Sequence, residues 1–182
     1  MKAVVYYTVI EEKYLGKRLE HMIGEELLRV GVKEEWGATL AHEPRSKGEF
    51  GKPFFSLRPK NHYNISHSGK YVVCALGNQE LGIDIQEHKN VNLPKLSERV
   101  LGKEEAEKLL KKPDALKLFF DQWALREAYI KWTGEGLSKD LRKIPMDQGS
   151  HKLLEIEEGY SCGIWSQDPL EITLVYKDIQ LP

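Results

Sequence analysis

The spacing of apolar residues changes period several times along the chain, and each change marks an element. The opening KAVVYYTVI is dense in β-branched and aromatic residues and reads as a strand. From about Lys17 to Val30 the apolar positions Leu19, Met22, Ile23, Leu27 and Val30 recur at helical spacing, with Gly31 as the stop. Residues 32 to 62 lose the pattern, and Gly37, Pro44, Gly48, Gly51, Pro53 and Pro59 mark loops there. In YVVCALGNQELGIDIQ two apolar runs flank Gly77-Asn78, which reads as a hairpin. In its second arm Ile83 and Ile85 share one face while Asp84 and Gln86 share the other.

Beyond this strand the pattern turns helical. Asn92 is placed to cap a short helix ending near Val100, and GKEEAEKLLKK makes another. Pro113-Asp114 then opens a long helix, ALKLFFDQWALREAYIKWT, stopped by Gly134. HKLLEIEE, YSCGIWSQ and LEITLVYKD return to strands. Two successive arrangements of strand, helix and strands predict an α+β fold, read as a pseudo-duplicated one with halves 1–88 and 89–182. The self-similarity of the sequence does not establish a duplication by itself.

Composition narrows the class without naming it. A chain of 182 residues suffices for one domain, or for two small halves sharing a core. Lys plus Arg total 27 against 28 for Asp plus Glu, so no global charge points to nucleic acid, and a basic binding surface must be local. Cys74 and Cys162 sit in apolar runs without metal-ligand spacing and read as buried reduced thiols. No run approaches the ~18 apolar residues of a membrane span. MKAVVYYTVI lacks a small-residue cleavage site and runs into Glu11-Glu12, so it reads as a strand rather than a signal sequence. A cytoplasmic protein is expected.

Three short segments carry candidate chemistry, each with a plain alternative. On the long helix Phe120, Trp123, Ala124, Glu127, Ala128 and Lys131 form one stripe, apolar except for Glu127 and Lys131. Leu125, Tyr129 and Trp132 cluster on the other side, so the helix should pack on two sides. The Glu127–Lys131 pair is either a solvated i, i+4 pair, worth roughly a few tenths of a kcal/mol, or a pair facing a polar cleft that offsets its desolvation. Asp84 and Gln86 are either the outer face of an edge strand or two oxygens aimed at one cation. Two such oxygens beside a helix carboxylate suit Mg²⁺, which completes its shell with water and substrate phosphates. In YNISHSGKY, Ser66, His67, Ser68 and Gly69 read as a short polar turn, either solvated or a phosphate cradle. Lys52, in a stiffened Gly-Lys-Pro turn, is a further phosphate contact by the same reasoning.

Taken together, GKP (51–53), NISHSG (64–69), GIDI (82–85) and WALREAYIK (123–131) resemble the 4′-phosphopantetheinyl transferases of the surfactin-synthetase-activating type. The strong match runs from about Gly51 to Leu137, including RVLGKEEAEKLL and GEGL; the flanks match only in strand-helix character. The resemblance implies a pseudo-dimer of two α+β halves with coenzyme A in the cleft between them, working as a monomer. It implies transfer of the 4′-phosphopantetheine arm from coenzyme A to a serine of an apo acyl or peptidyl carrier protein, releasing adenosine 3′,5′-bisphosphate. Mg²⁺, with Mn²⁺ as the alternative ion, would be held by Asp84 and Glu127, with Gln86 as a third ligand. Glu127 would take the serine proton and Lys131 would stabilise the phosphoryl oxygens. Lys52, Ser66, His67, Asp84 and Lys131 would bind coenzyme A. Neither nucleic acid nor membrane is an expected partner.

The sequence departs from the family pattern in three places. Gln86 stands where the family often has a second acid, and Arg126 replaces the usual lysine of the KEA triplet. The N-terminal half is short, leaving Lys13, Lys17 and Arg18 as the candidates for holding the 3′-phosphate. Carrier proteins present acidic helices, so a local basic and apolar surface is expected. NLPKLSERVLGK, with Leu93, Leu96 and Arg99, is either that surface or an ordinary amphipathic helix on the core. Two other readings are a binding module without turnover and a different Mg²⁺-dependent phosphoryl-transfer or hydrolytic enzyme.

Overall fold

Two sheets packed face to face, each covered on its outer side by one long helix, organise the chain. The computed structural model describes residues 2–16, 18–136 and 139–180. Lys17 and Leu137, both named above, lie outside the described residues. The strands are β1 (Lys2–Val9), β2 (Arg45–Lys47), β3 (Pro53–Phe55), β4 (His62–Ser68), β5 (Tyr71–Gly77), β6 (Leu81–Glu87), β7 (Ser150–Leu154), β8 (Tyr160–Ser166) and β9 (Glu171–Tyr176). The α-helices are α1 (Glu20–Trp36), α2 (Leu93–Leu101), α3 (Lys103–Leu110) and α4 (Ala115–Thr133). The first sheet has the order β4-β5-β1-β9 and the second β6-β8-β7, with β2 and β3 a small separate pair. The α+β class follows.

Period-two alternation sorts the side chains into layers. Ala3, Val5, Val73 and Ala75 of the first sheet meet Leu81, Ile83, Ile85, Cys162 and Ile164 of the second in one core. The alternate residues Tyr6, Val72, Cys74 and Leu76 face α1, which contributes Ile23, Leu27, Leu28 and Val32. On the far side α4 packs with Trp165 through Leu125, Ala128, Tyr129 and Trp132, and with α2 and α3 through Phe119 and Phe120. The helix thus packs on two sides, as its pattern predicts. Each fully buried Leu or Ile contributes about 1.5–3 kcal/mol, so this layering, rather than surface ion pairs, holds the halves together. Cys74 and Cys162 are free and buried, and burial pushes both thiols up. No helix among the described residues is long and apolar enough to cross a membrane.

The expected hairpin around Gly77-Asn78 does not form. β5 pairs antiparallel with β4 and β1, while β6 pairs with β8 in the other sheet. All seven residues of β5 are buried, which follows from partners on both edges and cover on both faces. A Gly-Asn turn signature reports a local reversal; it does not say which strands pair. Gly31 likewise does not stop α1, which continues to Trp36 and ends at Gly37 in the left-handed conformation, φ 61°. A Cβ on Gly31 would lie 2.6 Å from Leu76 Cδ1, so this glycine lets the helix lie close on the sheet. The segment read as a polar turn is mostly strand β4, and its turn is at Gly69-Lys70.

β4 and β6 are joined by side chains. Asn64 Oδ1, Ser66 Oγ and Ser68 Oγ accept the backbone N–H groups of Ile83 (2.8 Å), Ile85 (3.3 Å) and Glu87 (3.0 Å). Because β8 takes the other edge of β6, this polar row satisfies donors that would otherwise be buried without partners. The two sheets also repeat one arrangement: β4-β5-β1 and β7-β8-β6 are both fully antiparallel, with the strand preceding the covering helix at one edge. β9 then returns to pair in parallel with β1. The segments 1–88 and 89–182 therefore exchange strands: β6 sits in the second sheet and β9 in the first.

Candidate active site

The site forms where α4 crosses β6. Gly82, Asp84 and Gln86 share the face of β6 turned to the helix. A Cβ on Gly82 would lie 2.1 Å from Ala128 O and 2.3 Å from Trp132 N, so only glycine permits this crossing. Gly163, beside Asp84 on β8, clears Ala124 in the same way. The close approach brings Lys131 against Asp84, with Glu127 one turn earlier on α4.

Asp84 is 4% exposed, and both its oxygens are engaged. Oδ1 accepts from Lys131 Nζ at 2.6 Å and Ser66 Oγ at 2.8 Å, and Oδ2 accepts from Gln86 Nε2 at 2.7 Å. Ser66 Oγ also accepts from Lys131 Nζ at 2.9 Å and from the Ile85 N–H, so the hydroxyl has one donated and two accepted bonds. Burial is affordable for this carboxylate because charge and hydrogen bonds surround it. Glu127 is half-buried and accepts from Trp123 Nε1 at 3.4 Å. Burial first, and the Asp84 charge second, raise its pKa; the Trp123 bond and Lys131 oppose the shift. Glu127 lines a groove of about 490 Å³ with Leu96, Arg99, Trp123 and Ile130.

The charge of Asp84 on β6 acts on Glu127 of α4, and Lys131 of α4 is ion-paired with Asp84 at 2.6 Å. Among the described residues no three or more His, Cys, Asp or Glu side chains gather as a metal cage. An all-oxygen pair without a closed cage fits Mg²⁺, which takes one or two carboxylates and fills its shell from water and phosphate. It does not fit a structural Zn²⁺ site.

The other predicted residues fall into distinct places. Gln86 turns its amide N–H, not its oxygen, to Asp84, so here it clamps the carboxylate. Lys52 bonds Glu80, Trp132 O (2.8 Å) and Leu81 O (3.3 Å), tying its loop to the end of α4. Burial works to raise the Glu80 pKa, but His62 and Lys52 outweigh it and hold the carboxyl down at about 2. His67 is exposed and, by strand alternation, points to the α1 side, away from Ser66 and Asp84. Arg126 faces away from the site: it forks onto Glu105 at 2.9 and 3.0 Å, tying α4 to α3. Leu93 and Leu96 are half-buried on the α2 core while Arg99 is exposed. Trp123 as a donor to Glu127, and Asn64 and Ser68 as rungs beside Ser66, were not found from sequence. The alternation Asn-x-Ser-x-Ser at 64, 66 and 68 was the available signal.

Comparison with known proteins gives the family. Residues 80–175, which hold β6, α4 and β8, match the 4′-phosphopantetheinyl transferase superfamily. The chain is 34% identical over 134 residues to the 4′-phosphopantetheinyl transferase Sfp of Bacillus subtilis strain 168, covering 72% of this chain and 57% of that protein. It is 32% identical over 152 residues to another Bacillus subtilis 4′-phosphopantetheinyl transferase, covering 81% and 67%. It is 27% identical over 172 residues to the L-aminoadipate-semialdehyde dehydrogenase-phosphopantetheinyl transferase of Saccharomyces cerevisiae, covering 89% and 62%. The chain belongs to the 4′-phosphopantetheinyl transferase superfamily. It spans 57% to 67% of the length of these three relatives.

Proposed function

We propose that this chain transfers the 4′-phosphopantetheine arm of coenzyme A to a serine of an apo acyl or peptidyl carrier protein, in a Mg²⁺-dependent reaction with Mn²⁺ as the alternative ion. The observation that carries the reading is the Lys131–Asp84 pair at the α4–β6 crossing, with Glu127 one helical turn from Lys131. In the reaction the serine oxygen bonds the β-phosphorus, and the bridging P–O bond to the α-phosphate breaks. The serine proton goes to a base, and adenosine 3′,5′-bisphosphate leaves with the electron pair. When bound, the divalent ion supplies charge neutralisation at the pyrophosphate.

The protein's own residues divide the remaining work. Asp84 and Glu127 would hold the ion. Glu127 takes the hydroxyl proton directly or through water. Lys131 presents its ammonium to the phosphoryl oxygens, and Gln86 and Ser66 keep Asp84 in one orientation. Lys52 is a proposed contact of the coenzyme A pyrophosphate, exchanging its present partners for it; Ser66 borders the same site while holding Asp84, and His67, exposed on the α1 face of β4, is proposed to meet the 3′-phosphate instead. The acceptor approaches along the groove beside Glu127, whose Leu96 and Arg99 suit an acidic amphipathic helix.

The matching strand orders favour an internal duplication in which β6 opens the second copy. A monomer then contains both halves of the site. The test is transfer to a panel of apo carriers followed by intact mass, comparing wild type with Asp84→Ala and Glu127→Ala. Each variant should stay folded and lose nearly all transfer. Full activity in either would remove that residue from the mechanism. Coenzyme A binding without product in the wild type would favour a non-catalytic binder.

A further inference from the structure

We infer that Lys131 occupies the cation position of the site in the ligand-free protein, and that it must leave Asp84 for a divalent ion to enter. This rests on the reading of Asp84 and Glu127 as metal ligands. Three groups hold Asp84, and they differ in how freely they can depart. Ser66 is pinned by the Ile85 backbone N–H as well as by Asp84 and Lys131. Gln86 is a neutral donor on the other oxygen, and its removal would not relieve any charge conflict. Lys131 is the one that carries the charge an incoming cation duplicates. Its side chain is 25% exposed against 6% for that of Asp84, so the flexible stem has a route toward solvent.

The exchange keeps the carboxylate paired with a cation throughout, so it is never left unpaired at depth. The released ammonium stays one turn from Glu127, beside the space that phosphate oxygens would occupy. Ion entry and exposure of the ammonium are therefore one event: the lysine that guards the empty site becomes an anion contact only once the site is loaded. Thermodynamic linkage requires the converse, that the Lys131–Asp84 pair lowers affinity for the ion.

Amine labelling and ion binding test this together. Wild-type protein, with no coenzyme A present, is treated with acetic anhydride with and without saturating Mg²⁺, and Lys131 acetylation is read by peptide mass spectrometry relative to the other lysines. Labelling of Lys131 should rise roughly five-fold or more with Mg²⁺. Calorimetry with Mn²⁺ alone should show Lys131→Met binding the ion roughly five-fold or more tightly than wild type. An ion that binds while Lys131 labelling stays unchanged overturns the exchange and leaves the metal reading standing. The absence of ion binding in wild type overturns the metal reading and the exchange with it. Since the labelling uses wild-type protein, the test does not depend on Lys131→Met folding.

Discussion

Gly82 and Ala128 approach so closely that a methyl group on Gly82 would stand 2.1 Å from the Ala128 carbonyl oxygen. This crossing, rather than any one charged residue, sets the distance between the strand that bears Asp84 and the helix that bears Glu127 and Lys131. Gly82→Ala should therefore force α4 outward. The obstruction is backbone, so the cost should reach or exceed the about 1–3 kcal/mol typical of overpacking. Melting should shift down by about 2–4 °C per kcal/mol. Transfer activity should fall beyond what the folded fraction explains. A Gly82→Ala protein with wild-type melting and activity would show that the helix does not need this clearance.

Glu127 makes a prediction about pH in the metal-free protein. Its folded-state pKa is raised above the ordinary value of 4.5, chiefly by burial and then by Asp84. The folded state therefore binds more protons than the unfolded state between 4.5 and the raised value, and stability falls as pH rises through that window. Glu127→Gln should remove this loss, leaving the variant more stable than wild type at neutral pH in the presence of a chelator. It should also lose roughly 10²–10⁴-fold in transfer. Chelated melting curves across pH check the first outcome; equal slopes for the two proteins would contradict it.

The row Asn64, Ser66, Ser68 separates structure from chemistry. Ser66→Ala and Ser68→Ala each leave one backbone N–H of β6 without its acceptor, at a cost of about 1–3 kcal/mol. Only Ser66 also touches Asp84 and Lys131. Ser66→Ala should lose more stability than Ser68→Ala, and transfer per folded molecule should fall in Ser66→Ala and persist in Ser68→Ala. Equal activities would mean that Ser66 is a rung and nothing more.

Much of this arrangement was legible in the sequence. Asn92 caps α2 through its side chain, Gly134 ends α4 at φ 69°, and period-two alternation put Asp84 and Gln86 on one face. The identity of Glu127 and Lys131 as candidates followed from two charges on an apolar helical stripe. What stayed hidden was long-range. A turn signature could not say that β5 and β6 belong to different sheets, nor that β9 returns to β1. Residues 66–69 looked like a polar turn because Ser66 and Ser68 replace a neighbouring strand's backbone as hydrogen-bond partners. Gly31 looked like a helix stop because sequence does not distinguish a glycine needed for conformation from one needed for clearance.

Gln86 donates to Asp84 at 2.7 Å, a bond that a carboxylate at this position could not make. Gln86→Glu should weaken the metal-free protein by placing like charges together, and should tighten divalent-ion binding once the ion is present. Transfer should be retained, with the change appearing in metal affinity or in the preference between Mg²⁺ and Mn²⁺. A folded Gln86→Glu variant that has lost transfer at every metal concentration would show that the amide itself is required.

The most direct measurement is the intact mass of an apo carrier protein after incubation with this chain, coenzyme A and Mg²⁺, with carriers from several pathways tried in turn. The account predicts that at least one carrier gains the mass of a single phosphopantetheine arm at its serine, that adenosine 3′,5′-bisphosphate appears in equal amount, and that a chelator stops both. Unchanged carrier masses across the panel, with folded protein and bound coenzyme A, would contradict it.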